Sequence, residues 1–62
     1  MSKALYDAGG KLLGQIEQSG DISWLYSADG TLLGQYDSSS NFTYDAHGNL
    51  VGAGNLLGML LR

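Results

Sequence analysis

The chain lacks cysteine and proline, and only three of its 62 residues are basic. Without cysteine there are no disulfides and no cysteine-ligated zinc, so the usual staples of a small domain are excluded. Lys3, Lys11 and Arg62 stand against six acidic residues, for a net charge of −3. Between Lys11 and Arg62 the charged side chains (Glu17, Asp21, Asp29, Asp37, Asp45) are all acidic. A surface that tracks phosphates needs clustered lysine and arginine, so neither nucleic acid nor an anionic membrane is an expected partner. No apolar run approaches the ~18 residues of a membrane span, and no basic stretch leads into an apolar run at the start. Neither a span nor a secretory leader is expected. One domain, residues 1–62, is the natural reading. A chain this short buries only about 60% of its unfolded surface, which leaves it marginal without a partner.

What the chain does contain is a repeat. The stretches 5–14, 25–34 and 43–52 align without gaps as Leu-Tyr-Asp-Ala-Gly-Gly-Lys-Leu-Leu-Gly, Leu-Tyr-Ser-Ala-Asp-Gly-Thr-Leu-Leu-Gly and Thr-Tyr-Asp-Ala-His-Gly-Asn-Leu-Val-Gly. Tyr6, Tyr26 and Tyr44 mark the phase, with intervals of 20 and 18 residues. Each copy reads as a β-hairpin. Its centre (Ala8-Gly9-Gly10, Ala28-Asp29-Gly30, Ala46-His47-Gly48) fits a three-residue loop whose glycine takes a left-handed backbone. Gln18-Ser19-Gly20 is expected to supply the same turn in the first connector, and Asp37-Ser38-Ser39, without a glycine, in the second.

The fold class expected is all-β: a six-stranded antiparallel meander of three repeated hairpins, followed by a short apolar C-terminal segment at 55–62. These loops set a register in which Tyr6, Leu12, Tyr26, Leu32, Tyr44 and Leu50 form one row across the sheet. A second row on the same face pairs Ala4, Trp24 and Phe42 with Gly14, Gly34 and Gly52, so that rings lie over strand glycines. Ile16, Ile22 and Tyr36 make a third. The other face carries Leu5, Leu13, Leu25, Leu33, Thr43 and Val51 between polar rows. In the tail, Leu56, Leu57, Leu60 and Leu61 fall on one side of a two-turn helix with Asn55 as a cap, or else form a seventh strand. Such a helix is roughly 10 Å long against a sheet of nearly 30 Å, too short to cover a face.

The ingredients of catalysis are sparse. His47 is the lone histidine, at a loop position that suits any polar residue. Asp7, Asp29 and Asp45 recur where hairpin turns favour aspartate, and no loop offers the several converging oxygens that calcium needs. Ser38–Ser40 belong to the sheet end opposite His47, so no Ser-His-Asp arrangement forms. The lone Gly-x-Gly, Gly52-Ala53-Gly54, is not followed by the helix of a phosphate-binding loop. No enzyme activity, metal or cofactor is expected, and no small-molecule ligand.

The copies resemble the YD repeat, or RHS repeat, with its pattern Tyr-Asp-x-x-Gly followed by a basic or polar residue and leucine. Tyr6-Asp7-x-x-Gly10-Lys11-Leu12 and Tyr44-Asp45-x-x-Gly48-Asn49-Leu50 match, and the middle copy departs at Ser27. The resemblance covers some 50 residues. It implies β-hairpins of the kind that continue into long sheet strips, which form shells around toxin cargo or extended surface structures. Three repeats are too few to enclose cargo, and the resemblance transfers no catalytic residue.

The residues then predict a structural or interaction subunit. Its expected interface comprises Tyr6, Leu12, Trp24, Tyr26, Leu32, Tyr36, Phe42, Tyr44 and Leu50, with Leu56, Leu57, Leu60 and Leu61 of the tail. A single sheet cannot bury its own face, so the partner is a second copy or a larger protein assembly, such as a particle or virion to which this chain is a small addition. The alternative is a carbohydrate-binding or surface-attachment module that leaves its aromatics open to solvent.

Overall fold

A computed structural model describes residues 2–61. Six strands, β1 (Ser2–Tyr6), β2 (Leu12–Ser19), β3 (Ile22–Ser27), β4 (Leu32–Asp37), β5 (Phe42–Asp45) and β6 (Leu50–Ala53), form one antiparallel sheet in sequence order. This is the expected meander of three hairpins.

The three hairpin loops close alike. Asp7 N donates to Lys11 O at 2.9 Å and Gly10 N to Asp7 O at 3.0 Å. Ser27 with Thr31, and Asp45 with Asn49, repeat the closure. The loop glycines Gly10, Gly30 and Gly48 have φ of +85°, +92° and +86°, a region that costs an L-residue roughly 1–2 kcal/mol.

Past the loops, the expected register is corrected. Within each hairpin Tyr6 faces Leu12, Tyr26 faces Leu32 and Tyr44 faces Leu50, as the repeat implies. One residue further in, the pairing shifts: Leu5 faces Gly14, Leu25 faces Gly34 and Thr43 faces Gly52. Leu13, Leu33 and Val51 are therefore extra residues in β-bulges, and an odd slip exchanges the faces of everything beyond it.

The connectors differ as well. The first is a two-residue turn, Gly20-Asp21, closed by Ser19 opposite Ile22, with Gly20 at φ +59°. The second spans 38–41 between paired Asp37 and Phe42. Its left-handed residue is Asn41, at φ +62°, and asparagine tolerates that region better than most. The Tyr36 hydroxyl donates to Asn41 Oδ1 at 2.8 Å and Asn41 O accepts from Gly54 N at 2.7 Å.

Directly opposed residues share a face, so this register separates what the sequence reading put together. One face carries the glycines Gly14, Gly34 and Gly52 with Leu5, Ile16, Leu25, Tyr36 and Thr43. The other carries Tyr6, Trp24, Tyr26, Phe42 and Tyr44, with Ile22. Aromatic rings do not lie over the glycines, and Tyr36 and Ile16 leave the aromatic face.

The tail covers the glycine face. It forms a single 3₁₀ turn, Leu57–Leu60, neither a two-turn helix nor a strand. It reaches across the sheet because its leucines spread over several strands. A Cβ on Gly52 would lie 2.8 Å from Leu56 Cδ1, one on Gly34 2.4 Å from Leu60 Cδ1, and one on Gly14 3.1 Å from Leu61 Cδ1. Each copy of the repeat thus leaves a hollow that one tail leucine occupies. Leu25 and Leu57 are the fully buried apolar side chains among the described residues.

Thr43, also fully buried, fastens the tail. Its hydroxyl donates to Gly54 O at 2.6 Å and accepts from Leu56 N at 3.0 Å. The two earlier copies have leucine at this position (Leu5, Leu25). The copy nearest the tail exchanges an apolar contact for two hydrogen bonds that hold the chain as it leaves β6.

Three substitutions separate these effects. Gly30→Val meets no atom within 4 Å but places a β-branched residue at positive φ, and should cost about 1–2 kcal/mol or more; His47→Asn at an equivalent loop should change the melting temperature little. Gly52→Ala, whose added Cβ meets Leu56 Cδ1 and no backbone atom within 4 Å, should loosen the tail, detected as faster amide exchange at Leu56 and Leu57 with the hairpins intact. Thr43→Val, nearly isosteric, should cost about 1 kcal/mol because two part-buried backbone groups lose their partner. Unchanged amide exchange at Leu56 and Leu57 in Gly52→Ala would contradict the packing.

Candidate functional site

Two places merit description as sites: the polar loop ends and the open sheet face. At the loops, Asp7 Oδ1 accepts from Gly9 N and Lys11 N, each at 2.9 Å. Asp45 Oδ1 does the same with His47 N and Asn49 N, each at 2.9 Å. The middle copy has Ser27 in place of the aspartate, and Asp29 compensates. It accepts from the Ser27 hydroxyl and, at 3.1 Å, from Thr31 N. The Tyr-Asp pattern therefore has a local cause, since the carboxylate holds loop N–H groups that would otherwise face water alone.

These bonds favour the ionised acid. Hydrogen bonds from Ser27 and then Thr31 hold Asp29 below its ordinary pKa. Asp37 is lowered by the Ser39 hydroxyl and N–H, and Asp45 chiefly by the Asn49 N–H. All are solvent-facing, and their carboxylates are engaged within their own loops. Among the described residues no three of His, Asp and Glu converge to hold a metal. His47 lies at the opposite end of β5 from Ser38–Ser40. A cleft of about 310 Å³ opens between Lys3, Ile16, Gln18, Ser23, Asn55 and Leu57 at the margin of the tail. Lys3 is the one charged group lining it.

The aromatic face is the larger feature. Trp24 stands directly between Glu17 and Gln35, and Gln35 in turn faces Tyr44. Tyr26 lies between Gln15 and Leu32, and Phe42 between Asp37 and Ala53. Tyr6 is 61% exposed, Leu50 60% and Phe42 38%; Leu12, Trp24, Tyr26, Leu32 and Tyr44 are partly exposed. Eight of the thirteen residues expected at an interface are thus brought to one open surface. The other five, Tyr36 with Leu56, Leu57, Leu60 and Leu61, lie on the glycine side, where the tail leucines are occupied with intramolecular cover.

Sequence reasoning missed that Glu17 and Asp37 share the aromatic face, since their position depends on connector lengths that the residues signal poorly. It also missed the leucine hollows. The signal for those was present: a glycine four residues after each loop glycine, and several leucines in the tail.

No family model, curated protein or solved structure matches the chain. Among the described residues no helix is long and apolar enough to cross a membrane.

The depressed acids set a pH dependence with a definite sign. Each contributes stability at pH values above the unfolded-state pKa of about 4 and loses it as pH falls through the lower folded-state value. The melting temperature should stay level from neutral pH to about 5 and fall below about 4, and Asp45→Asn should flatten that acid limb. A melting temperature that stays level down to about pH 2 would contradict the assignment.

Proposed function

We propose that the chain is a non-enzymatic structural or interaction subunit that assembles through its aromatic sheet face, either with copies of itself or as a small component of a larger protein assembly. One observation carries the reading. The tail leucines lie on the glycine face, and the aromatic face has no cover within the described residues.

A soluble monomer seldom leaves more than a few hundred Å² of contiguous apolar surface open, and larger patches mark interaction sites. The face is rich in tyrosine and tryptophan, which contribute most to association when desolvated. The resemblance to YD repeats, which implies sheets that work as built structure, is part of this proposal. A role in decorating a particle or virion belongs to the same reading.

Trp24 is the sole tryptophan and reports on this face. In dilute isolated protein, acrylamide should quench its emission readily, and an apolar dye should bind; both signals should fall when the face is occupied by protein. Red-shifted emission that only soluble oligosaccharides protect would assign the aromatics to sugar stacking. Blue-shifted, unquenchable emission from a compact monomer would show the face covered from within and overturn the proposal.

A further inference from the structure

We infer that the occupant of the aromatic face is a cationic segment of another protein, presenting lysine or arginine, rather than a second copy of this chain. The inference rests on the reading of that face as the assembly surface and goes further by naming the partner's chemistry.

The argument is one of charge. Glu17 is directly opposite Trp24, a separation of roughly 5 Å between Cβ atoms. Asp37 pairs with Ile22 and Phe42, diagonal to Trp24. Both acids are partly exposed, and hydrogen bonds from the Ser39 hydroxyl and N–H favour the ionised form of Asp37. Lys3 pairs with Ile16 on the glycine side, and Lys11 is exposed at a hairpin loop. Among the described residues no cation shares the face with the aromatics.

Two copies stacked face to face would therefore enclose four carboxylates with no positive charge to meet them. Burying an unpaired ion costs several kcal/mol, and like charges across an interface work against association. A partner bearing arginine or lysine reverses the sign of every one of these terms. A guanidinium over the Trp24 ring gains the attraction of the ring face and can hydrogen-bond the Glu17 carboxylate beside it. The net charge of −3 adds attraction at long range.

The test uses the full chain and a short blocked peptide of alternating arginine and valine, which places its cations on one side of an extended strand. A peptide with glutamine in place of arginine is the control. Binding is read from Trp24 emission, and self-association by sedimentation over about a hundredfold range of concentration. The expected result is a monomer throughout, with saturable binding of the arginine peptide and not of the glutamine one. Glu17→Gln should weaken binding about three- to fivefold, a span typical of one exposed charge pair. Asp21→Asn, the same charge change in a connector turn, should have under about half that effect. Equal losses from the two variants would mean diffuse attraction to an acidic protein and would overturn the inference. Concentration-dependent dimerisation that shields Trp24 from acrylamide, without peptide binding, would also overturn it while leaving the proposed assembly face intact. Absence of both, with Trp24 unquenchable, would remove the inference and the assembly face together.

Discussion

The contact on which the structure depends is a leucine side chain seated where a strand residue has no Cβ. A six-stranded meander has two faces, and one layer buries neither. The tail covers one face by lying very close to the sheet. Gly14, Gly34 and Gly52 allow that approach. At Gly14 and Gly34 an added Cβ would also collide with the carbonyl oxygen of Tyr26 or Tyr44, at 2.3 Å and 2.6 Å. Close strand packing and close tail packing thus require glycine at the same positions. Glycine in a strand is ordinarily destabilising through backbone entropy, and here the apolar cover it admits offsets that loss.

The same constraint determines which face is left over. The bulges at Leu13, Leu33 and Val51 and the short connectors place the glycines and the rings on opposite sides. The tail can follow only the glycines, so the aromatic residues are left facing outward. Buried apolar side chains are few, with Leu25 and Leu57 the fully enclosed ones. Under the proposed function, the aromatic side is where a partner would add burial. Glu17 and Asp37 lie on that side, and under the proposal they would select the partner, because a charged group beside an apolar patch penalises self-stacking more than docking of an opposite charge.

The repeat made the hairpins legible from residues alone. Ala-x-Gly at 8–10, 28–30 and 46–48 identifies the loops, and the tyrosine–leucine pairs that flank them hold in the structure. The bulges were not legible, because an extra leucine beside a leucine changes no hydrophobic pattern. The connectors failed for a related reason: Gly20 suits a two-residue turn as well as a three-residue one, and Asn41, the left-handed residue of 38–41, stands outside the expected turn. Each error was odd in residue count, so together they exchanged the partners of whole rows. Trp24 with Tyr26 in β3, and Phe42 with Tyr44 in β5, were still correctly grouped, since alternation within a strand survives any error of register between strands.

The separation of faces is most directly tested by nuclear Overhauser contacts from the tail leucine methyls. The account predicts cross-peaks from Leu60 to the Gly34 Hα and from Leu56 to the Gly52 Hα, with none from these methyls to the rings of Trp24, Tyr26 or Tyr44. Strong contacts between the tail methyls and the Trp24 or Tyr44 rings would place tail and aromatics on one side of the sheet and contradict it.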